Sequence, residues 1–257
     1  MGLAPDSVHL TDRVAIVTGA AQGLGEAIAL ALANFGADVA ICDRDSDGLD
    51  RTADAIEGSG RRVVAAELDV RDGEKVRGFV DLVAGELGGI DVLVNNAGGG
   101  FAAAFMDVSD KGQDALVREN FESVTSFVRA VVPKMRVGGS IVNVTSIEAH
   151  RAGPGFAVYS AMKAAVANLT KSLALELGDS SIRVNCIAPD VIPTPGIGAL
   201  DVRTPLPYEG HPDDVAGATV FLASPLSRFV TGTTIHVDGG NLAAGGWRRS
   251  DDGFTTS

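Results

Sequence analysis

Short runs of β-branched and other apolar residues alternate with longer stretches of helical character along most of the chain. Strands that read as continuous apolar runs are typical of parallel sheets, because the crossover connections between parallel strands place helices on both faces of the sheet. The pattern therefore predicts an α/β fold built on a doubly wound parallel sheet of about seven strands, with helices on both faces. The predicted strands are Val14–Thr18, Asp38–Cys42, Arg62–Leu68, Asp91–Asn95, Ser140–Val144, Arg183–Ile187 and Thr234–Val237.

The length of the chain and the lack of internal breaks predict one domain. At 257 residues the chain suits a single α/β domain, and no linker-like or repeated segment divides it. We therefore expect one domain over residues 1–257. Two segments interrupt the alternation. The proline-rich stretch at 190–210 is predicted to be a substrate loop, because long loops in compact domains are usually functional, and the extended C-terminal tail at 241–257 shows no strand or helix pattern.

Charge and hydropathy exclude several classes of protein. The formal net charge of -12 at pH 7 opposes binding to nucleic acid or anionic lipid, since both require clustered Lys and Arg. No apolar run approaches the roughly 20 residues of a membrane span, and the first ten residues do not resemble a secretory signal. We expect a cytoplasmic protein with no nucleic-acid or membrane partner. The two cysteines, Cys42 and Cys186, lie in apolar runs and are predicted to be buried, with no disulfide or metal site.

A glycine-rich turn follows the first predicted strand. Residues 18–25 read Thr-Gly-Ala-Ala-Gln-Gly-Leu-Gly and lead into a helix-forming stretch, Glu26–Ala33. Glycines let the backbone turn sharply and approach a pyrophosphate closely, and the start of a helix offers free N–H groups to the anion. A strand, a glycine turn and a helix in this order favour a dinucleotide-binding Rossmann fold, although a plain tight turn has the same local sequence.

An acidic residue stands where the second predicted strand ends. Asp43 lies eighteen residues beyond Gly25, where a carboxylate can accept hydrogen bonds from an adenosine ribose and repels a 2′-phosphate. The next residue, Arg44, is able to hold that phosphate, but Asp43 would lie beside the same group, and burying two anions together is costly. The pair predicts NAD rather than NADP as cofactor. The alternative is that Asp43 is an ordinary turn residue at the end of a strand.

A tyrosine and a lysine are spaced to share one face of a helix. Tyr159 and Lys163 are four residues apart at the start of a helical stretch that follows a loop rich in glycine and proline. A free tyrosine has a pKa of about 10, and an ammonium group nearby favours the phenolate and lowers that value. The pair is therefore a candidate for proton transfer, and the alternative is two polar residues on a solvated helix face.

Further motifs occur in a fixed order around this pair. Asp69-Val70 follows the third predicted strand and Asn95-Asn96-Ala97-Gly98 the fourth. The other motifs are the turn at 18–25, Asn120, Ser146, Tyr159 with Lys163, and Ile187-Ala188-Pro189 with Ile192 and Thr194. Through these motifs the chain resembles the short-chain dehydrogenase/reductase family over nearly its whole length, and the resemblance implies a Rossmann fold and a nicotinamide-dependent oxidoreductase.

The resemblance also implies catalytic roles for four residues. Ser146 would hold the substrate oxygen and Tyr159 would exchange a proton with it. Lys163 would lower the pKa of Tyr159 and bind the nicotinamide ribose. Asn120 would order a proton-relay water, with a polar residue inside a helix as the alternative. In oxidation the Tyr159 phenolate would take the hydroxyl proton while a hydride passes to the nicotinamide ring.

Cofactor contacts are implied in the same way. Asp69 would bind the adenine amino group, and residues 96–98 would form the floor on the adenosine side. The nicotinamide carboxamide would be held by Pro189, Ile192 and Thr194. Asn95 is expected to stabilise the sheet. The full set of expected cofactor-binding residues is Gly19, Gln22, Gly23, Leu24, Gly25, Asp43, Arg44, Asp69, Val70, Asn96, Ala97, Gly98, Tyr159, Lys163, Pro189, Ile192 and Thr194.

Several residues depart from the family pattern or lie near the expected substrate. Asp190 stands where relatives usually have glycine, and it either points to solvent or shapes the substrate pocket. Glu148 and His150 are interpreted as loop residues more readily than as substrate contacts. An apolar pocket and ordinary core packing both explain a group of apolar residues, namely Phe101, Phe105, Phe156, Ile197 and Leu200.

The C-terminal tail and the family resemblance each lead to an expectation about how subunits associate. Trp247 with Arg248 and Arg249 is either a disordered end or an anchor on a neighbouring subunit, since Trp and Arg are favoured at interfaces. The resemblance implies a homotetramer, with a dimer as the alternative, in which the long helix after Tyr159 packs against its mate.

The sequence thus predicts an NAD-dependent enzyme that acts on CH–OH groups. Its partner would be a small secondary alcohol or ketone, fairly apolar or steroid-like. One alternative is a reductase of 3-ketoacyl thioesters carried by acyl carrier protein or CoA, and Asp43 and the acidic charge count against it. Another is a non-catalytic NAD(H)-binding sensor or scaffold, and the complete set of Ser146, Tyr159 and Lys163 counts against that.

Overall fold

Seven parallel strands form the central sheet of the computed structural model, which describes residues 2–195, 204–250 and 253–255. The order across this sheet is β3-β2-β1-β4-β5-β6-β7, so the predicted doubly wound parallel sheet is confirmed. The order reverses between β1 and β4, which is where such sheets form a crevice at the carboxyl ends of their strands. The strands are β1 Val14–Thr18, β2 Asp38–Asp43, β3 Val63–Glu67, β4 Ile90–Asn95, β5 Met135–Val144, β6 Arg183–Pro189 and β7 Thr234–Val237.

Helices cover both faces of the sheet, as predicted. Along β1, Ala15 and Val17 face one core, while Val14 and Ile16 face the other, because successive side chains of a strand point to opposite faces. One core packs α1, α2 and α7 on the sheet, and the other packs α3, α5 and α6. The helices are α1 Gly23–Asn34, α2 Ser46–Gly58, α3 Gly73–Leu87, α4 Asp110–Val117, α5 Ser123–Val131, α6 Ala157–Glu176, α7 Pro212–Ala223 and α8 Asn241–Ala244.

The predicted strand positions are close to those observed, with one clear exception. Both β1 and β7 have the predicted bounds, and β2 extends one residue further, to Asp43. In contrast, β5 begins at Met135, five residues before the predicted start at Ser140. The extra residues include Gly138 and Gly139, which have low strand propensity, so the apolar pattern did not reveal this extension. Both cysteines are buried free thiols, as predicted.

The prediction that the tail has no regular structure is wrong. Residues 241–244 form the short helix α8, and Arg248–Ser250 (β8) pairs antiparallel with Gly253–Thr255 (β9). These elements span only three or four residues, which is too short for a periodic pattern to be seen in the sequence. The Trp247 side chain precedes β8 and is 54% exposed. Its docking on another subunit stays a prediction.

A membrane-spanning helix and a metal site are both absent from the part of the chain that the structure describes. Within it, no helix has both the length and the apolar character needed to cross a membrane. In the same ranges, no three His, Cys, Asp or Glu side chains come together in a way that would hold a metal ion.

A buried carboxylate ties the start of β1 to β4 and β5. Asp91 is 2% exposed and accepts hydrogen bonds from the Val14 amide at 2.9 Å, from Arg13 at 2.7 Å and from Arg136 at 2.5 Å. Since Arg13 and Arg136 belong to segments far from Asp91 in sequence, this one side chain links the amino ends of three central strands, opposite the crevice.

We expect Asp91→Ala to lower the free energy of unfolding by about 2 to 3 kcal/mol, because two arginines and a backbone amide lose their acceptor. Urea denaturation followed by circular dichroism measures the change. Asp81→Ala is the matched control. Asp81 forms an exposed pair with Lys134, and pairs of that kind contribute less than about 1 kcal/mol. Equal losses in the two variants would contradict the role given to Asp91.

Candidate active site

A cleft of about 720 Å³ opens at the carboxyl ends of the central strands, at the point where the strand order reverses. Its walls contain all of the predicted site residues except Asn120 and Asp69. The predicted residues that line it are Gly19, Gln22, Gly23, Leu24, Gly25, Asp43, Arg44, Val70, Asn96, Ala97, Gly98, Ser146, Tyr159, Lys163, Pro189, Ile192 and Thr194.

The glycine turn between β1 and α1 leaves no room for a side chain at two of its glycines. Gly19 has a φ of +69°, and a Cβ there would lie 2.9 Å from the Cα of Ala97. A Cβ on Gly25 would lie 1.9 Å from the carbonyl oxygen of Gly19. Glycine is therefore required at both positions, and the start of α1 can approach a phosphate group closely.

Asp43 joins the glycine turn to the end of β2. Its Oδ2 accepts a hydrogen bond from the Ala21 amide at 3.0 Å, and its Oδ1 accepts from the Arg44 and Asp45 amides at 2.6 and 3.2 Å. The residue thus stabilises a turn and also lines the cleft, so both interpretations of it describe part of its place in the structure.

Arg44 reaches across the same end of the cleft. Its guanidinium donates to the Glu119 carboxylate at 3.3 Å, and both residues line the cleft. The arginine is therefore already paired with an anion. Glu119 was not among the predicted site residues.

Asp69 does not line the cleft, although its neighbours Leu68 and Val70 do. Both of its carboxylate oxygens accept hydrogen bonds from the Arg71 guanidinium, at distances between 2.5 and 3.0 Å. The Arg71 side chain is the main reason that the pKa of Asp69 falls to about 2. The carboxylate is therefore ionised and paired.

Asn120 lies in a π-helical turn, Arg118–Glu122, that connects α4 to α5. Its side-chain amide donates to the carbonyls of Leu116 at 3.0 Å and Gly99 at 2.8 Å, and its Oδ1 accepts from the Gly99 amide at 3.2 Å. Asn120 therefore lies inside a helical segment and also holds the loop after β4. π-Helical turns of this kind often occur at functional sites.

Asn120 and Lys163 converge behind Gly98. A Cβ on Gly98 would lie 2.7 Å from the Asn120 Oδ1 and 3.1 Å from the Lys163 Nζ. Lys163 is 5% exposed and donates from Nζ to the Val144 carbonyl at 3.0 Å. Burial lowers the pKa of Lys163 to about 8.

Tyr159 and Lys163 lie on the same face of α6, as their spacing predicts, and the Lys163 Nζ is 5.6 Å from the centre of the Tyr159 ring. The expected lowering of the pKa of Tyr159 by Lys163 is not found. Burial raises the pKa of Tyr159, the Ser146 hydroxyl opposes that rise, and the Glu148 carboxylate adds to it. The ammonium of Lys163 donates to the Val144 carbonyl, and burial disfavours its charged form.

Ser146 is bound to an acidic side chain that sequence reasoning interpreted as a loop residue. The Ser146 Oγ lies 2.5 Å from the Glu148 Oε2, and the Arg151 guanidinium donates to the Glu148 Oε1 at 2.9 Å. Burial raises the pKa of Glu148, but the hydrogen bonds from Ser146 and Arg151 outweigh it, and the pKa is lowered overall. Glu148 lines the cleft, and its contact with substrate stays a prediction.

Asp190 also lines the cleft and does not point to solvent. Its side chain is 12% exposed. Its Oδ2 accepts from the Asn241 amide group at 2.6 Å, and its Oδ1 accepts from the Val191 amide at 2.8 Å and lies 3.8 Å from Arg151. Two carboxylates, Glu148 and Asp190, therefore line the cleft, and the Arg151 guanidinium lies within 4 Å of both.

The apolar residues expected around the substrate separate into two groups. Phe156 lines the cleft, whereas Phe101 and Phe105 do not. Ile197 and Leu200 lie outside the described residues. His150 is not on the cleft wall and packs against His236 with ring centres 4.8 Å apart, which agrees with its interpretation as a loop residue.

Most of the lining residues that sequence reasoning missed are neighbours of predicted ones. Two of them precede Ser146 at the end of β5, and another precedes Asn120 in the π-helical turn. Proximity to a motif at the end of a strand was the available signal for these positions. The missed residues are Leu68, Gly100, Glu119, Val144, Thr145, Val191 and Pro195.

Asn95 and Asn143 are hydrogen-bonded to each other between β4 and β5. The Asn95 amide group donates to the Asn143 Oδ1 at 2.8 Å, and both side chains are buried. The predicted role of Asn95 in stabilising the sheet is confirmed.

Comparison with known proteins places this site in a family. A family model described as enoyl-(acyl carrier protein) reductase matches residues 19–241. An uncharacterized oxidoreductase of Mycobacterium tuberculosis is 38% identical, and the match covers 91% of this chain and 94% of the relative. The 3-oxoacyl-[acyl-carrier-protein] reductase FabG of Thermotoga maritima is also 38% identical, and that match covers 91% of this chain and 99% of the relative.

Solved structures share the fold. A dehydrogenase/reductase from Sinorhizobium meliloti 1021 has a TM-score of 0.88 and 34% identity, with 91% of this chain and 97% of that chain covered. A carveol dehydrogenase from Mycobacterium avium in complex with NAD has a TM-score of 0.87 and 31% identity, with 91% and 99% covered. A short chain dehydrogenase from Burkholderia cenocepacia J2315 in complex with NADP has a TM-score of 0.86 and 35% identity, with 90% and 98% covered.

The fold and the comparisons define an oxidoreductase built on a sheet that binds a nicotinamide cofactor. The chain belongs to the short-chain dehydrogenase/reductase family, as its sequence motifs predict.

We expect Gly25→Ala to weaken NADH binding by more than tenfold, because the added Cβ would displace the Gly19 carbonyl and distort the turn. Fluorescence titration with NADH measures the change. Gly58→Ala is the matched control: a Cβ there meets nothing within 4 Å, and Ala is favoured over Gly in a helix. NADH binding that is equally strong in both variants would contradict the role of the turn.

Proposed function

We propose that this chain is an NAD-dependent oxidoreductase that transfers a hydride between the cofactor and a secondary alcohol or ketone. The observation that carries the proposal is that Ser146, Tyr159 and Lys163 line one cleft with the glycine turn and Asp43. A bound nicotinamide dinucleotide would supply the hydride acceptor or donor. The chain itself would bind and orient the two reactants and move one proton.

The residues present fit such a cofactor. The turn at 19–25 lies at the N-terminus of α1, and a Cβ at Gly19 or Gly25 would collide with the neighbouring backbone. A pyrophosphate can therefore approach the free N–H groups of the helix closely. In the proposal, Asp43 accepts from the adenosine ribose and residues 96–98 form the floor. Ile192 and Thr194 hold the carboxamide, and Lys163 binds the nicotinamide ribose. Leu68 and Val70 would flank the adenine, because the Asp69 carboxylate is already bound to Arg71.

Two side chains at the end of the cleft that would hold the adenosine ribose favour NAD over NADP. Asp43 places a carboxylate on the cleft wall and would repel a 2′-phosphate. Arg44, the cation best placed to hold that phosphate, is paired with Glu119 at 3.3 Å. Related solved structures contain NAD in one case and NADP in another, so it is these side chains that favour NAD here.

Proton transfer in the proposal belongs to Tyr159. In oxidation its phenolate accepts the hydroxyl proton as the C–H hydride leaves, and in reduction the phenol returns a proton to the carbonyl oxygen. Ser146 holds the substrate oxygen. In the proposal Lys163 and Asn120, whose side chains both approach Gly98, relay this proton onward. Ser146 and Tyr159 line the same cleft, so in the proposal both groups meet the same oxygen.

The substrate side favours an uncharged and fairly apolar alcohol. Phe156 and Val191 contribute apolar surface to the cleft, and Glu148 and Asp190 give it negative charge. Substrates that carry a carboxylate or a phosphate would be repelled. We further propose a cytoplasmic homotetramer of single-domain subunits in which α6 packs against its mate.

A second candidate is reduction of 3-ketoacyl thioesters, which the similarity to the Thermotoga maritima reductase favours. Asp43 and the net charge of -12 oppose it, since that role usually goes with NADPH and a basic surface for an acidic carrier. The two candidates are separated by comparing the oxidation of NADPH by acetoacetyl-CoA with the reduction of NAD by a panel of cyclic and steroid-like secondary alcohols.

We expect the melting temperature to rise more with NAD than with NADP at equal concentrations, because a tighter ligand stabilises the folded state more. Glu119→Gln should free Arg44 and strengthen NADP binding by about two- to fivefold, the range expected for an exposed ion pair, with NAD binding unchanged. Glu122→Gln, on the exposed side of the same π-helical turn, is the control. A larger rise with NADP in the unmodified protein would overturn the preference.

We expect Tyr159→Phe to reduce turnover of any alcohol found in the panel by roughly 100-fold to 10,000-fold, since general acid–base catalysis contributes on that scale. NADH binding should be retained, because the phenyl ring keeps the shape of the cleft. Steady-state kinetics and NADH titration measure the two effects. Turnover that persists at the level of the unmodified protein would refute the assignment of the proton to Tyr159.

A further inference from the structure

Glu148 places a carboxylate directly beside the serine that would hold the substrate oxygen. The Ser146 hydroxyl donates to the Glu148 Oε2, and the two oxygen atoms are 2.5 Å apart. Both residues line the cleft, and the Glu148 side chain is 19% exposed. A substrate that meets Ser146 therefore brings the atoms next to its reacting carbon within reach of an acceptor.

The Glu148 side chain is held in this place by three neighbours. The Arg151 guanidinium donates to its Oε1 at 2.9 Å, and Ser146 donates to its Oε2. Its aliphatic part packs against Gly153, where a Cβ would lie 3.0 Å from the Glu148 Cγ. Although burial raises the pKa of Glu148, the hydrogen bonds from Ser146 and Arg151 lower it overall, so the carboxylate is ionised near neutral pH.

The hydrogen-bonding capacity of this carboxylate is only partly used. An ionised carboxylate accepts about four hydrogen bonds and donates none. Among the residues that the structure describes, the side chains that donate to Glu148 are those of Ser146 and Arg151. At least one acceptor position is therefore left for a donor on the substrate.

The direction of the bond from Ser146 gives a second reason to expect such a donor. Ser146 has one hydroxyl hydrogen, and it is donated to Glu148. A ketone oxygen bound at Ser146 needs that hydrogen, and its transfer would leave the Glu148 Oε2 without this donor, which costs binding free energy. A hydroxyl on the neighbouring carbon of the substrate would replace Ser146 at Glu148 and release the serine hydrogen for the reacting oxygen.

The spacing of the two side chains suits a vicinal diol. In a staggered vicinal diol whose oxygens are gauche to each other, those oxygens are separated by about one hydrogen-bond length. The Ser146 Oγ and the Glu148 Oε2 are 2.5 Å apart, so each can meet one of the two oxygens. Arg151 already balances the charge of Glu148, so the donor need not be charged.

We propose that Glu148 is a specificity-determining residue and that the preferred substrate carries a hydroxyl group on the carbon next to the reacting carbinol. The inference rests on the proposed function and narrows its substrate class to vicinal diols with an otherwise apolar body. In oxidation the carbinol C–H bond breaks and its hydride passes to NAD, while the carbinol O–H proton passes to Tyr159 and a C=O bond forms. The neighbouring hydroxyl keeps its bond to Glu148, and the product is a hydroxy ketone.

Three alcohols of similar size test the proposal in the unmodified protein. Beside the carbinol, 1-phenyl-1,2-ethanediol carries a hydroxyl, 1-phenyl-1-propanol a methyl group, and 2-methoxy-1-phenylethanol an ether oxygen that accepts a hydrogen bond but donates none. We expect kcat/KM for NAD reduction to be roughly 10- to 100-fold higher with the diol than with the other two, the range for a hydrogen bond to a charged group. Equal values for the three alcohols would overturn the proposal.

Glu148→Gln changes the group that faces the substrate from an acceptor to a donor. The amide oxygen would turn to the Arg151 guanidinium, which leaves the amide nitrogen on the side of Ser146. We expect the ratio of kcat/KM for the diol to that for the methoxy alcohol to fall by about tenfold or more, because a donor favours the ether oxygen. The ratio cancels any general effect of the substitution on turnover.

Asp190→Asn is the matched control. Asp190 lines the same cleft, but its carboxylate is bonded to Asn241 and not to Ser146, so this ratio should be unchanged. Equal falls in the two variants would contradict the assignment to Glu148. Circular dichroism checks that each variant folds. If the Gln variant does not, Glu148→Met removes the acceptor at similar side-chain length, and the ratio should fall in that variant too.

Binding without turnover separates the inference from the proposed function. Calorimetric titration of the NAD complex with 2-hydroxyacetophenone and with propiophenone compares a hydroxy ketone with its methyl counterpart, and no reaction occurs because ketone and NAD are both oxidised. We expect the hydroxy ketone to bind roughly 10- to 100-fold more tightly, and Glu148→Gln to reduce that difference. If no alcohol is oxidised, the proposed function fails while this binding preference still decides the role of Glu148. If alcohols are oxidised and neither preference is found, the function stands and the role of Glu148 fails.

Discussion

The hydrogen bonds between Thr18 and Asn96 hold the two halves of the sheet together where its order reverses. The Thr18 Oγ1 accepts from the Asn96 and Ala97 amides at 3.0 and 2.9 Å, and the Asn96 side chain donates to the carbonyls of Thr18 and Gly19, each at 3.0 Å. These bonds bring the glycine turn against the loop after β4, and only glycine fits at position 19 in the space that remains. The two walls of the cleft therefore depend on each other.

Burial has opposite effects on the two ionisable groups of α6. It raises the pKa of Tyr159 and lowers that of Lys163, because desolvation disfavours the charged form of each. At neutral pH burial therefore favours the neutral phenol of Tyr159, while Lys163, whose pKa is about 8, stays mostly protonated. The pKa of Tyr159 depends first on burial and then on Ser146 and Glu148, and the attraction that the spacing of Tyr159 and Lys163 indicates is not among the causes of its shift.

The sequence was informative where structure depends on local pattern. Buried runs such as Val14–Thr18 were located to the residue, and the glycine turn, Asp43 and Ser146 were placed at strand ends, because these features follow from short stretches of chain. The missed features depend on contacts between distant or irregular segments. The pairing of Arg44 with Glu119 crosses the cleft, and the bond from Ser146 to Glu148 depends on a loop whose course has no periodic signal.

The hydrogen bond from Asn241 to Asp190 links the C-terminal segment to the substrate side of the cleft. Asn241 begins the short helix α8, directly after the sheet ends at β7 and the turn at 238–240. Truncation of the chain after Gly240 would remove this donor from the Asp190 carboxylate and leave the Arg151 guanidinium 3.8 Å away. A change in the C-terminal segment therefore reaches the wall of the cleft at Asp190 without any substitution in the cleft itself.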